Sequence, residues 1–132
     1  MFPEFYWLTL TLLFTGLMWI PYIFQYISEE GVKNAMLSGQ GTKTPDKPWA
    51  ARLKKAHANA VENMVIFAPL VLIAVMTQST SQITAIAAMV YFIARLAHAV
   101  IYTLGIPLAR GLSFATGLAC QLVFAFSILG WI

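Results

Sequence analysis

Seven polar side chains interrupt otherwise apolar stretches of this sequence. Lys55, Asn59 and Glu62 recur at intervals of four and three residues. Arg95, His98 and Tyr102 recur at three and four, and Arg110 follows a turn marked by Gly105 and Pro107. At about 100° per residue, each trio falls on one stripe of a helix, with Asn63 at the edge of the first. The chemistry within reach is anion binding. Arg110 lies beside a helix amino terminus, whose dipole also favours negative charge. A plain snorkelling arginine fits the same position.

Charges at bilayer depth cost about 2.5–3.5 kcal/mol on insertion scales, so they face a bundle interior and find partners. Glu62 lies 15 positions before Thr77 (77 − 62), and Arg95 lies 15 after Thr80 (95 − 80). On antiparallel helices both reach the same level, which predicts an ion pair or a link through one polar neighbour. Such a pair can join two helices, with Asn59 and Asn63 adding interhelical hydrogen bonds, or it can serve a ligand. His98 reads equally as a packed histidine, and Tyr102 as an interfacial anchor. His57 falls nearly opposite Glu62, outside that pocket.

The elements that must position these residues are transmembrane helices. Of 132 residues, 60% are apolar and 10% charged, with a net charge of +3; soluble domains carry about 25% charged residues. A span needs about 20 apolar residues. The sequence predicts an all-α integral membrane four-helix bundle, one transmembrane domain over residues 1–132, with spans at 5–28, 50–76, 83–104 and 108–131 and a loop at 31–48. Pro21 predicts a kink in the first span. Asp46 is placed to cap the second helix, with Pro48 in its first turn. The run without a basic flank at the amino end is too long for a secretory signal peptide. Lys33, Lys43, Lys47, Arg52, Lys54 and Lys55 lie between spans one and two or at the start of span two, and none lies between two and three. The positive-inside rule puts that loop and Arg110 in the cytoplasm and both termini on the non-cytoplasmic side of a multi-pass protein.

Other chemistries find no support in the sequence. The single cysteine, Cys120, excludes an intramolecular disulfide framework. No residue is assigned to a metal, and no Gly-rich phosphate loop or Ser-His-Asp triad is present. No contiguous basic surface suits nucleic acid. Trp7, Trp19 and Trp131 read as belt residues near span ends, while Met64, Met76 and Met89 read as filler.

The runs Lys55-Ala-His-Ala-Asn-Ala-Val-Glu-Asn63 and Tyr91-Phe-Ile-Ala-Arg-Leu-Ala-His-Ala-Val-Ile-Tyr102, with Arg110 after a short turn, resemble the MAPEG family, the membrane-associated proteins in eicosanoid and glutathione metabolism. The likeness covers the whole chain and points to a bacterial-type member, in the inner membrane, similar to microsomal glutathione transferase and prostaglandin E synthase. It implies a homotrimer in the bilayer that binds glutathione between subunits as cosubstrate and acts on a small lipophilic molecule as transferase or peroxidase. Arg110 would stabilise the glutathione thiolate, and Tyr102 would donate a hydrogen bond. Lys55, Asn59, Glu62, Arg95 and His98 would bind the tripeptide. Where relatives carry arginine, this chain has Lys55, Ala58 and, at the end of helix one, Glu29 and Glu30; Gly111 follows Arg110 in place of a hydroxyl residue, with Ser113 close by. The alternative is a non-catalytic membrane protein of the same type that binds lipid or hydrophobic ligands.

Overall fold

The computed structural model describes residues 1–37 and 47–132. Its elements are α1 (Pro3–Leu17), α2 (Trp19–Glu30), α3 (Val32–Leu37), α4 (Pro48–Met76), α5 (Gln82–Leu104) and α6 (Pro107–Ile128). Among the described residues four helices are long and apolar enough to span a membrane, with α1 and α2 together forming the first. The fold is all-α, and the protein is an integral, multi-pass membrane protein.

Pro21 explains the division of the first span. Its ring displaces the carbonyl of Leu17 and removes one donor, and the helix restarts at Trp19, so that Pro21 sits in the first turn of α2. Pro69 lies inside α4, a feature that the sequence reading did not single out. Part of the link expected at 31–48 coils into α3; the expected cap Asp46 lies outside the described residues. Lys47 precedes α4 with no side-chain cap, and Pro48 occupies its first turn.

The ends of α5 and α6 use left-handed glycines. Gly105 (φ 78) and Gly130 (φ 73) let Ile106 and Trp131 donate back to the carbonyls of Ile101 and Phe126 at 3.2 and 2.9 Å, which satisfies carbonyls the helix leaves open. That closure stops α6 at Ile128, short of the expected 131. Arg52 ties the start of α4 to the end of α5: its Nε–H donates to the Thr103 carbonyl at 2.8 Å.

Packing inside a bilayer rests on van der Waals contact between small residues. Fully buried Ala50, Ala56, Ala74 and Ala88 let the helices approach. One apolar cluster gathers Leu8, Met64, Phe67, Val71, Tyr91 and Phe124, with Phe67 stacked on Tyr91 at 3.6 Å. A second, toward the basic end, gathers Met18, Tyr22, Leu53, Ala60 and Ala99. Between them in sequence on α5 lies Arg95, and on α4 Asn59 adjoins Ala60 of the second cluster. At the opposite end Glu4 is part of α1 and only 2% exposed. Thr84 Oγ1 lies 2.6 Å from Glu4 Oε1 and also completes the Ser81 capping box of α5.

Candidate functional site

Arg95 is 3% exposed, so its guanidinium needs partners within the protein. Its Nη2 donates to Asn59 Oδ1 at 2.8 Å and lies 3.5 Å from His98 Nδ1. Its Nε has no acceptor. Asn63 Nδ2 donates to the Asn59 backbone carbonyl at 2.8 Å and lies 3.3 Å from Asn59 Oδ1, and Gln121 of α6 donates to the Asn63 backbone carbonyl at 3.4 Å. Tyr91, one turn before Arg95, is buried with an unpartnered hydroxyl.

Toward the basic end the same stripe of α5 continues outward. The rings of His98 and Tyr102 stand 5.5 Å apart, and the Arg110 guanidinium lies over the Tyr102 ring, 5.2 Å from its centre. His98 is 3% exposed, Tyr102 is half-buried and Arg110 is exposed. Helix spacing on α5 and the short turn into α6 therefore assemble Asn59, Arg95, His98, Tyr102 and Arg110 into one polar seam, buried at the Arg95 end and exposed at the Arg110 end.

Glu62 and Lys55 lie off this seam. Both are exposed on α4, and among the described residues no ion pair joins Glu62 to Arg95, so the expected direct pair is corrected to an Arg95–Asn59 bond. Glu62 is two positions from both Ala60 and Met64, which are buried. At about 100° per residue that puts it almost on the opposite side of the helix. His57 also lies apart, its Nδ1 2.7 Å from the Tyr22 hydroxyl. Ser113 donates to the Arg110 carbonyl at 3.0 Å within α6.

A family profile, that of the MAPEG family, matches residues 5–130. The chain belongs to the MAPEG family. Comparisons with curated proteins and with solved structures gave no match.

Within this MAPEG chain, three participants of the seam were missed from sequence. Gln121 and Tyr91 sit in apolar runs of α6 and α5; a glutamine one residue after Cys120 on a spanning helix was a usable signal, since amides in spans seek partners. Gly117 carried no signal: a Cβ there would meet the Tyr91 ring at 3.7 Å and Arg95 Cδ at 3.9 Å, so α6 passes close over the seam. Among the described residues no three His, Cys, Asp or Glu side chains gather to hold a metal.

Proposed function

We propose that this MAPEG protein is a glutathione-dependent transferase or peroxidase acting on small lipophilic electrophiles, working as a homotrimer. The observation that carries this is the exposed Arg110 guanidinium at the open end of the Arg95–His98–Tyr102 seam. Arg110 sits in the first turns of α6, where the dipole disfavours a cation and favours an anion beside it. A bound anion is the simplest way to relieve that.

Glutathione offers two carboxylates, an ammonium and a thiol. Lys55 and Arg95 provide cationic partners for carboxylates, Asn59 a hydrogen-bonding amide and Glu62 a partner for the ammonium. A thiol of pKa about 8.5 is mostly protonated at neutral pH; a guanidinium close to the sulfur lowers that value, and the proton leaves through the open mouth. The thiolate sulfur then bonds an electrophilic carbon as the leaving group departs with its electron pair. With a peroxide it bonds one oxygen, the O–O bond breaks and the alcohol leaves; a second glutathione releases water and gives the disulfide. Arg110 stabilises the sulfur anion, and Tyr102 donates a hydrogen bond to it.

Glu62 supports the trimer. It is the midpoint of α4, 14 residues from Pro48 and 14 from Met76, about 21 Å from either end. A carboxylate left against lipid there costs about 2.5–3.5 kcal/mol; a neighbouring subunit on that face of α4 removes the cost and completes a pocket with Lys55 and Glu62 in its wall.

A second proposal, a non-catalytic protein that binds lipid or hydrophobic ligands, is favoured by Glu29, which Gln25 holds at the end of α2, where it repels an anionic tripeptide. Conjugation turnover with the purified protein separates the two. The enzyme turns over glutathione with an aryl halide, and Arg110→Ala lowers that rate about 100-fold or more. Full activity in Arg110→Ala removes the role given to Arg110, and no glutathione-dependent turnover with either an aryl halide or a hydroperoxide leaves the non-catalytic protein.

A further inference from the structure

A cleft on the described chain lies away from the Arg95 side chain and its partners. It measures about 400 Å³ and is walled by Met18 and Pro21 at the α1–α2 kink, Trp49 and Leu53 of α4, and Val100 and Thr103 of α5. On α5 Val100 lies roughly 140–160° around the helix from Arg95, His98 and Tyr102, at about 100° per residue. Its lining is almost wholly apolar, and it opens at the end of the molecule where the bases gather.

Two features of that rim are specific. Trp49 is exposed and lines the cleft, an amphipathic ring at the level of lipid headgroups. Arg52 is held at the same rim, because its Nε–H bond fixes it on the carbonyl of Thr103, itself a lining residue. Lys47, five residues earlier and just before the first residue of α4, is exposed. Among the described residues this end carries Lys33, Lys47, Arg52, Lys54, Lys55 and Arg110 against Glu29 and Glu30.

We infer that this cleft holds one acyl chain of an anionic phospholipid, with its phosphate against Arg52 and Lys47. The apolar wall takes the chain, the tryptophan takes the glycerol level, and the charge at the rim selects a negative headgroup over a zwitterionic one, as basic pockets between spanning helices do. A free phosphate could use only the rim, so the cleft commits the site to a lipid. This inference does not rest on glutathione chemistry, because none of Arg95, His98, Tyr102 and Arg110 lines the cleft.

The test is lipid retention by the full-length protein in native mass spectrometry, after release from detergent supplemented with phosphatidylglycerol or phosphatidylcholine of the same acyl chains. The wild type retains phosphatidylglycerol at least tenfold better than phosphatidylcholine. Val100→Trp, at an exposed position that lines the cleft, abolishes that retention. Lys47→Gln combined with Arg52→Gln brings the two lipids within about twofold of each other. Equal retention of both lipids by the wild type overturns the inference, and so does undiminished phosphatidylglycerol retention in Val100→Trp, which would mean another surface or a second copy of the chain covers the cleft. Should Val100→Trp fail to fold, the charge variant decides alone: an unchanged preference for phosphatidylglycerol overturns the inference.

Discussion

Glu4 and Arg95 are both ionisable, both almost fully buried and both inside spanning helices, yet the protein treats them differently. Glu4 is closed off. Thr84 meets its carboxylate, the same hydroxyl belongs to the capping box of α5, and neither Glu4 oxygen is left both buried and unpartnered. Arg95 is left incomplete: amide and imidazole neighbours, no carboxylate among the described residues, an unpartnered Nε, and a stripe of polar groups leading out to Arg110. A buried charge bonded across helices, with no polar stripe leading outward from it, holds helices together. One that is partly met and connected to an opening has capacity left for a ligand.

Variants can break this contrast. Arg95→Met carries the largest effect: glutathione affinity measured by calorimetry falls by about 30-fold or more, the loss of charge-assisted hydrogen bonds worth about 2 kcal/mol. Thermal stability stays level or rises, because an arginine without a counter-charge gives way to an apolar side chain. Glu4→Ala does the reverse, lowering stability by about 1–2 kcal/mol with glutathione affinity unchanged. If both variants lose stability and neither loses affinity, the two sites are alike and the contrast fails. Gly105→Ala costs about 1 kcal/mol, since its φ of 78° is strained for alanine, while the incoming Cβ makes only ordinary contact with Arg52 at 3.4 Å; chemical unfolding measures it. Gln121→Leu costs about 0.6 kcal/mol at most, because its bond to Asn63 is long.

Four spans and the stripe of Arg95, His98 and Tyr102 were legible in the sequence, since composition and helical period carry that information directly. The partner of Arg95 was not. Depth along the two helices put Glu62 at the right level, but rotation decides contact, and Asn59 rather than Glu62 sits on the edge of α4 that meets α5. Placing Glu62 against the buried stripe through Ala60 and Met64 would have exposed the mismatch. Glu4 was illegible for another reason: its partner Thr84 is 80 residues away, and no local pattern links them. Pro21 announced its kink, whereas Arg52 read as one more headgroup base until its bond to Thr103 was seen. The roles proposed for Lys55 and Glu62 require a neighbouring subunit, which no single chain displays.

The most direct measurement is the ultraviolet absorbance of the glutathione thiolate on titration of the purified protein at neutral pH. With Arg110 stabilising the sulfur anion, saturation of the wild type brings out the thiolate band, and Arg110→Ala binds glutathione without it. Saturable binding with no thiolate band in the wild type, or the same band in Arg110→Ala, contradicts the assignment of the seam to thiolate chemistry.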